Sequence, residues 1–318
     1  MTRPAADTVP DVVRDWAEPV IGPISRSWLL SGSHSRVWRA RSASGDWTVK
    51  HLQDRSSDAR VEAAVLGSLP GTVRARRIRA LREEPDGSVF VLAPYVPGRT
   101  LDEALPGAEA DRVRDWAEQV CRIVDAVAAV PVQGYGAVRL EPDGRTLRAE
   151  DPDWFAFLVG YLERQRHKAP RLAALRHGVL LAAMRDLEPR LAAAADRPRL
   201  LHADVNLRNF VVDGPVVACV NLPVAWSGDP AAVYGEALVH WSGTAGEAVF
   251  RRAGRAAGRL LDFYAAFHAY VILAYVERFS TEPLDRAAPW GGSTPLLELF
   301  DRHAAAARGG PKEALSCQ

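Results

Sequence analysis

The feature that most constrains this chain is a polar loop joined directly to a predicted β-hairpin. The loop reads His-Ala-Asp-Val-Asn-Leu-Arg-Asn over residues 202–209, and two short β-rich runs follow around an Asp-Gly pair at 213–214. An Asp-Gly pair between such runs is typical of a hairpin turn. On this loop Asp204 can accept a proton from a hydroxyl group, and the side-chain oxygen of Asn209 can bind a hard cation such as Mg²⁺. Asn221 ends the second run and is predicted to point back toward the loop.

The residues before position 100 are predicted to form a small antiparallel sheet with one helix. Gly/Ser clusters separate short apolar segments, which is the pattern of an antiparallel meander. Apolar spacing over 58–69, ended by Pro70-Gly71, predicts a helix. The predicted strands lie at 28–30, 37–40, 47–52, 73–81 and 88–96.

The remainder of the chain is predicted to be mainly helical. Apolar stripes predict helices over 111–130, 153–166 and 172–195, and helices resume after the hairpin to about residue 308. The change of character near Tyr95–Thr100 predicts two units, residues 1–96 and 97–318. The fold class expected is therefore α+β, with a small sheet-rich lobe before a larger helical one.

Composition excludes several classes of protein. Forty Lys and Arg residues against 39 Asp and Glu residues leave a net charge of +1, which argues against a nucleic-acid binder that relies on bulk charge. The chain has no run of eighteen apolar residues and no apolar segment near its start, so we expect no membrane span and a cytoplasmic location. Three scattered cysteines, at 121, 219 and 317, exclude a disulfide framework and a cysteine-rich zinc site. The oligomeric state is not predicted.

Lysine is rare in this chain, so each lysine is informative. Only Lys50, Lys168 and Lys312 are lysines, and the other 37 basic residues are arginines. An ammonium group and a guanidinium group are not interchangeable at a tight phosphate site. Lys50 lies in the predicted strand 47–52, and as a lysine retained among so many arginines it is singled out for closer attention.

Taken together and in this order, these motifs resemble those of the aminoglycoside phosphotransferase-like enzymes, which share the protein-kinase fold and phosphorylate small molecules. The resemblance rests on the loop 202–209, the hairpin, the strand-end residue 221 and Gly-Asp-Pro at 228–230. It extends from about residue 25 to 280. It implies a protein-kinase-like two-lobed fold, ATP or GTP as phosphoryl donor, Mg²⁺ as cofactor and a small-molecule hydroxyl as acceptor.

The resemblance also assigns roles to individual residues. It implies that Asp204 is the catalytic base, that Asn209 binds a metal ion, and that Lys50 holds the α- and β-phosphates with Glu62 as its partner. Segment 30–38 is similar to the family's nucleotide-covering loop, and segment 91–101 is similar to its hinge between lobes. The remaining nucleotide-binding residues implied are Ser31, Gly32 and Ser33 in the covering loop, and Pro94 and Tyr95 in the hinge.

Position 221 departs from the family pattern. The resemblance implies an aspartate there that chelates Mg²⁺, whereas this chain has Asn221. A carboxamide offers one neutral oxygen, so we expect weaker metal binding and slower phosphoryl transfer. Asp213 or Asp229 could supply the missing charge, but a turn residue and a structural residue are the simpler interpretations.

Other candidate residues also have structural interpretations. His202 is more simply a histidine that bonds to the backbone, and Lys50 with Glu62 could be a surface ion pair of little energetic weight. Cys219 is expected to be a packed core residue. The aromatic side chains between Phe263 and Tyr275 are spaced as in a helix, which more often indicates core than a ligand pocket.

The acceptor predicted from the sequence is a neutral or weakly charged molecule that carries a hydroxyl group. Residues 241–318 contain eight acidic residues and nine Lys or Arg residues, so the acidic excess that a polycationic aminoglycoside needs is not visible. The same region offers aromatic side chains at Trp241, Tyr270, Tyr275 and Trp290. These features favour a nucleoside or macrolide type of antibiotic, in resistance or biosynthesis.

Two alternatives remain open because of Asn221. The chain could be a non-catalytic kinase fold that binds a ligand or a partner protein, or it could catalyse a different group transfer.

Overall fold

A five-stranded antiparallel sheet forms the N-terminal part of the computed structural model, which describes residues 8–31, 35–53, 56–194, 197–289, 292 and 294–309. The strand order is β1-β2-β3-β5-β4. Its strands are β1 (Ile24–Ser31), β2 (Ser35–Ser42), β3 (Gly45–Leu52), β4 (Ala80–Glu83) and β5 (Val89–Pro94), and two helices accompany it, α1 (Asp11–Ile21) and α2 (Ser56–Ser68).

Helix α1 was not predicted, and it covers one face of this sheet. Val13, Ala17 and Ile21 lie on its buried face and pack with Trp38 and Val49 of the sheet. The spacing of those three residues by four places them on one side of a helix. This spacing is the signal that could have predicted α1.

The prediction of a strand over residues 73–81 is wrong for most of its length, because strand β4 begins only at Ala80. The backbone before β4 pairs instead with a strand of the C-terminal part. The Arg76 N–H donates to the Cys219 carbonyl at 2.8 Å, and the Cys219 N–H donates to the Arg74 carbonyl at 3.0 Å. The backbone of residues 74–76 is therefore bonded to β12 and not to the N-terminal sheet. This short parallel pairing connects the two parts of the chain.

Short strands and turns connect the sheet to the site region. Strands β6 (Arg99–Thr100), β11 (Phe210–Asp213) and β12 (Val216–Cys219) form one small sheet in the order β12-β11-β6. Strands β7 (Gly136–Ala137), β10 (Arg199–His202) and β13 (Ala225–Gly228) form another in the order β10-β13-β7, and β8 (Arg139–Leu140) pairs with β9 (Leu147–Arg148). The hairpin predicted around Asp213-Gly214 is confirmed as β11 and β12.

Helices make up most of the C-terminal part. They are α3 (Leu101–Ala104), α4 (Ala110–Ala128), α5 (Trp154–Lys168), α6 (Pro170–Leu172), α7 (Gly178–Asp186), α8 (Glu188–Ala194), α9 (Ala231–His240), α10 (Glu247–Ala253), α11 (Arg259–Phe279) and α12 (Leu296–Ala307). The single helix predicted over 172–195 is interrupted by a π-helical turn at Ala173–His177 and by a break at Leu187. Pro189 follows that break, and proline is tolerated only in the first turn of a helix.

Helix α11 forms the centre of the helical part. Its buried residues include Phe263, Tyr264, Phe267 and Tyr270, as the core interpretation of this aromatic stripe predicted. By length and composition alone α11 could cross a membrane, but 72% of its most apolar eighteen-residue window is buried against the rest of the chain. A core helix has this character. The predicted α+β fold class, with its sheet-rich N-terminal lobe and helical C-terminal part, is confirmed.

Candidate active site

The loop 202–209 is closed around Asp204 by two asparagines. Asn206 Nδ2 donates to Asp204 Oδ1 at 2.5 Å, while Asn206 Oδ1 accepts from the Arg208 N–H at 2.9 Å. Asn209 Nδ2 donates to the Asp204 carbonyl at 2.6 Å. Because both asparagines are buried, these bonds hold the loop in one conformation and leave the Asp204 side chain partly exposed.

His202 holds the strand end that carries Asn221. It is fully buried, and its Nε2 atom forms a 3.0 Å hydrogen bond with the Asn221 backbone carbonyl. Burial lowers the pKa of His202. These contacts agree with a backbone-bonding role for His202. Cys219 is likewise buried beside it, as predicted.

Lys50 reaches the same loop from the N-terminal sheet. It lies in β3, where its backbone pairs with Val37 of β2 and Val91 of β5. Its Nζ atom donates to Asn221 Oδ1 at 2.6 Å, across 171 residues of sequence. Lys50 is only 7% exposed, so it is not a surface residue. The structure therefore brings together the predicted phosphate-binding lysine and the predicted metal-binding position.

Asn221 continues this contact into the catalytic loop. Its Nδ2 atom donates to Asn209 Oδ1 at 2.7 Å. A chain of side-chain hydrogen bonds thus runs from Lys50 through Asn221 and Asn209 to the backbone of Asp204. Residues 206, 209 and 221 are the only asparagines in the sequence, and all three belong to this site.

The two predicted metal ligands do not fit a bound Mg²⁺ ion in this arrangement. Asn209 Oδ1 accepts from Asn221, and Asn221 Oδ1 accepts from Lys50, so both oxygens already face N–H donors. Mg²⁺ requires oxygen ligands in octahedral geometry and is usually held by at least one carboxylate. Among the described residues no group of three or more His, Cys, Asp or Glu side chains could hold a metal ion.

Neither Asp213 nor Asp229 supplies the negative charge that is missing at position 221. Asp213 is an exposed residue beside the hairpin turn. Asp229 is buried, and its two oxygens accept from the Ala231 N–H at 2.9 Å and the Tyr264 hydroxyl at 2.7 Å. Burial raises the pKa of Asp229. Both structural interpretations made from the sequence therefore agree with the contacts.

Glu62 has a different cationic partner from the one that the resemblance implied. It is buried on α2, and its Oε1 atom lies 3.4 Å from Arg76 Nη2. The same oxygen accepts from the Leu222 N–H at 3.1 Å. Arg76 belongs to the segment that pairs with β12, so it reaches Glu62 from a part of the chain that sequence spacing does not place there. The Glu62 contact fixes α2 against the residue after Asn221.

Among the other predicted nucleotide-binding residues that the structure describes, Ser31 and Pro94 lie at opposite ends of the sheet. The Ser31 backbone ends β1 opposite Val37, while Gly32 and Ser33 fall outside the described residues. Pro94 ends β5, and the Tyr95 N–H donates to the Asp46 carbonyl at 2.9 Å. The nucleotide roles of these residues stay predictions.

Two of the aromatic residues predicted to line an acceptor site lie in the core instead. Trp241 and Tyr270 are fully buried in the helical core, where Trp241 packs on Phe250 and Tyr270 on Phe300. Tyr275 is 38% exposed and contacts Phe279 one turn further along α11. Trp290 falls outside the described residues. Helical spacing had favoured a core position for Tyr270. Trp241, at the end of α9, is a core residue as well.

A buried acidic residue behind the loop was missed by the sequence reasoning. Glu236 on α9 accepts from the Val205 N–H at 3.1 Å through Oε1. Nε2 of His240 lies 3.8 Å from the same oxygen, and Nδ1 of His268 lies 3.8 Å from Oε2. Burial raises the pKa of Glu236 and lowers that of His240 to about 4 and that of His268 to about 3. The four-residue spacing of Glu236 and His240 could have identified a shared helix face.

Comparisons with known proteins identify the family and the fold of the chain. The profile of the phosphotransferase enzyme family matches residues 28–267. The crystal structure of the aminoglycoside phosphotransferase APH(4)-Ia is similar with a TM-score of 0.69 at 15% sequence identity, over 95% of this chain and 99% of that one. A GDP and kanamycin complex of APH(2″)-IIIa has a TM-score of 0.60 at 16% identity, over 94% of this chain and 97% of that one.

A thermostable mutant of APH(4)-Ia in ternary complex with ADP and hygromycin B is also similar, with a TM-score of 0.65 at 15% identity, over 93% of this chain and 95% of that one. No curated protein sequence matches the chain. The structural likenesses show the fold, and the family profile covers three quarters of the sequence. The chain therefore belongs to the phosphotransferase enzyme family.

Proposed function

We propose that this protein transfers the terminal phosphoryl group of ATP or GTP to a hydroxyl group of a small molecule, with Asp204 as the base. One observation carries the proposal. Lys50 of the sheet and Asp204 of the catalytic loop belong to one network, in which Asn221 and Asn209 connect them through hydrogen bonds of 2.6–2.7 Å. A phosphate-binding cation and a proton acceptor are two of the groups with which proteins promote phosphoryl transfer to a hydroxyl.

In the proposed reaction the acceptor hydroxyl attacks the γ-phosphorus atom. The new oxygen–phosphorus bond forms as the bond to the β,γ-bridging oxygen breaks, and the nucleoside diphosphate leaves with that electron pair. The Asp204 carboxylate takes the hydroxyl proton. Asn206, bonded to Asp204 Oδ1, orients the carboxylate, and the Lys50 ammonium faces the negative charge on the phosphates. No step here uses Mg²⁺, because Asn209 and Asn221 do not fit the ion as they are arranged.

For the acceptor we propose a neutral or weakly charged molecule with a hydroxyl group, such as a nucleoside or macrolide antibiotic. The balanced charge of residues 241–318 supports this class, since a polycation would be attracted by an acidic excess. The structural relatives named above bind hygromycin B and kanamycin. An aminoglycoside acceptor is therefore the competing class that the experiment must include.

The experiment incubates the protein with ATP or GTP and panels of nucleosides, macrolides and aminoglycosides, and follows product mass. We expect a product heavier by one phosphate with a member of the first two panels. Asp204→Asn should lower kcat/KM by a factor of about 10²–10⁴, the usual contribution of a general base. Asp213→Asn, which changes an exposed hairpin carboxylate, is the matched control and should retain full activity. Equal activity of Asp204→Asn and the native protein would contradict the assigned base.

A second candidate function follows from the hydrogen bond between Asn221 and Asn209. It favours a protein that binds its ligand without phosphoryl transfer, or that transfers another group. The same mass measurement separates these possibilities. No product with any panel, together with unchanged ligand binding by Asp204→Asn, supports the binding protein, and a different mass gain supports another group transfer.

A further inference from the structure

We infer that the hydrogen-bond chain Lys50–Asn221–Asn209 takes the place of a divalent cation in this site, so that the protein binds a nucleoside triphosphate without a metal ion. The inference rests on the proposed nucleotide site and adds how that site is built. The contact that carries it is the 2.7 Å hydrogen bond from Asn221 Nδ2 to Asn209 Oδ1. A side-chain N–H group lies between the two residues predicted to share a cation.

The direction of this chain is determined at both of its ends. A lysine ammonium only donates hydrogen bonds, so Asn221 must turn its oxygen toward Lys50. The Asp204 carbonyl only accepts, so Asn209 must turn its nitrogen toward it. The two amide groups can satisfy both ends only if Asn221 donates to Asn209. Amide orientations are otherwise ambiguous, but here they follow from the chemistry of the end groups.

An aspartate at position 221 would give the opposite arrangement. Both carboxylate oxygens accept, so one would face Lys50 and the other would face Asn209 Oδ1, which is also an acceptor. Two facing acceptors about 2.7 Å apart repel each other unless a proton or a cation lies between them. A divalent cation satisfies both oxygens at once. Asn221 therefore completes a closed hydrogen-bond chain. An aspartate at position 221, which has an oxygen atom in place of the NH₂ group, would form a cation site.

Charge balance leads to the same conclusion. The two amides at positions 209 and 221 are neutral, so neither of these residues supplies a negative charge to attract Mg²⁺, and the Lys50 ammonium is a positive charge in direct contact with Asn221. A like charge at this distance disfavours a second cation. The phosphates of a nucleotide, in contrast, are attracted by Lys50. We therefore expect the metal-free nucleotide to bind at least as tightly as its Mg²⁺ complex.

The first test measures thermal unfolding without nucleotide, in EDTA and in millimolar Mg²⁺ or Mn²⁺. The native protein should unfold at the same temperature in each. Asn221→Asp should unfold at a lower temperature in EDTA and recover with either cation, because the ion relieves the repulsion between acceptors. Gln119→Glu is the matched control, since the Gln119 amide also joins a carbonyl acceptor, Pro215 at 2.6 Å, to an N–H donor, Val217 at 3.0 Å. It should be destabilised without recovery in either cation.

The second test titrates ATP and GTP by calorimetry, in EDTA and in Mg²⁺. The native protein should bind each nucleotide at least as tightly in EDTA as in Mg²⁺. Asn221→Asp should bind each nucleotide more tightly in Mg²⁺ than in EDTA, by a factor of about ten or more. Lys50→Ala should lose binding in both. The inference is overturned if the native protein binds nucleotide only with Mg²⁺, or if Asn221→Asp unfolds at the same temperature in EDTA and in the cation.

The outcomes separate this inference from the proposed function. Metal-free nucleotide binding without a phosphorylated product supports the inference and contradicts the proposed function. Phosphoryl transfer together with strictly Mg²⁺-dependent binding supports the function and overturns the inference. Absence of nucleotide binding in every condition overturns both.

Discussion

The Glu236 carboxyl group accepts a hydrogen bond from the backbone N–H of Val205, 3.1 Å away, directly behind Asp204. Glu236 is 4% exposed, and its second oxygen has no hydrogen-bond partner among the described residues. A backbone N–H next to the base is therefore held by a buried side chain. In this arrangement Glu236 acts on the reaction through the position of Asp204, so we regard it as a positioning residue.

We expect Glu236→Ala to lower kcat by about tenfold, because losing a hydrogen bond of roughly 1.4 kcal/mol lets the loop move. Glu236→Gln keeps an oxygen that can accept from Val205, so it should remain within about threefold of the native kcat. Steady-state kinetics with the acceptor found in the mass experiment gives both values, and calorimetry should show unchanged nucleotide affinity. If Glu236→Gln lowers kcat as much as Glu236→Ala does, the hydrogen bond to the Val205 N–H is not the cause of the loss.

The pKa values of Glu236, His240 and His268, which form one buried cluster, are all shifted in the direction that favours the neutral form. Burial is the main cause, since it raises the pKa of the carboxyl group and lowers the pKa of the two imidazoles to about 4 and about 3. His268 also stacks on Trp226, with ring centroids 5.9 Å apart. The unfolded chain carries these histidines in water, where their pKa is about 6.5.

Stability should therefore fall as pH is lowered from about 6.5 to about 4. In that range the unfolded histidines bind protons and the folded ones do not, so the unfolded state is favoured by on the order of 2 kcal/mol for each histidine. Glu236 acts in the opposite direction, because its unfolded form releases a proton above its ordinary pKa while the buried group retains it. Urea unfolding across this range should show a shallower slope for His268→Phe and a steeper slope for Glu236→Gln. A His268→Phe slope equal to the native one would contradict a neutral buried imidazole.

The sequence predicted those parts of the site that depend on local spacing. The loop 202–209, the hairpin and the strand that carries Lys50 each have a local signal, and the structure brings them together. The signal for Asn221 was its position at the strand end. Sequence spacing could not predict the hydrogen-bond partners of Asn221, because these depend on how the side-chain amide groups of Asn221 and Asn209 are oriented.

The errors arise where tertiary contacts replace local ones. Residues 74–76 have the alternation of a strand, yet they pair with Cys219 of β12 and so leave the N-terminal sheet. That pairing also brings Arg76 to Glu62. The family resemblance had instead implied that Glu62 is the partner of Lys50. Trp241 was selected for an acceptor site from its residue type, but the core is where a large aromatic side chain buries most surface.

A buried hydrogen-bond relay gives the next prediction. The Tyr264 hydroxyl donates to Asp229 Oδ2 at 2.7 Å and accepts from Trp154 Nε1 at 2.9 Å. Tyr264→Phe leaves a buried N–H and a buried carboxyl oxygen each without its partner, so it should lower the free energy of unfolding by about 2–4 kcal/mol. Tyr270→Phe, on the same helix, is the control, because the Tyr270 hydroxyl is buried with no hydrogen-bond partner among the described residues. Its removal should be neutral or stabilising in the same urea titration, and equal losses in the two variants would contradict the relay.

Gly98 lies where the chain passes from the N-terminal sheet to β6, against the hairpin that follows the catalytic loop. Its φ is +126°, and a Cβ atom there would lie 2.3 Å from the Val212 carbonyl oxygen. Gly98→Ala therefore combines an unfavourable backbone conformation with a collision against backbone atoms. Moving the Val212 backbone away from the added Cβ atom would disturb its pairing with Arg99.

Gly107→Ala separates these two causes. Gly107 also has a positive φ, +81°, but a Cβ atom there would meet nothing within 4 Å. We expect Gly107→Ala to lower the free energy of unfolding by about 1–2 kcal/mol, the usual cost of a left-handed conformation for an L-residue. Gly98→Ala should cost at least about 2 kcal/mol more, as overpacking of a close contact does. Urea unfolding measures both, and nucleotide affinity should fall only in Gly98→Ala, because only that change displaces the hairpin that connects Asn209 to Asn221. Equal stability losses would mean that the hairpin yields without cost and that backbone conformation alone determines the effect.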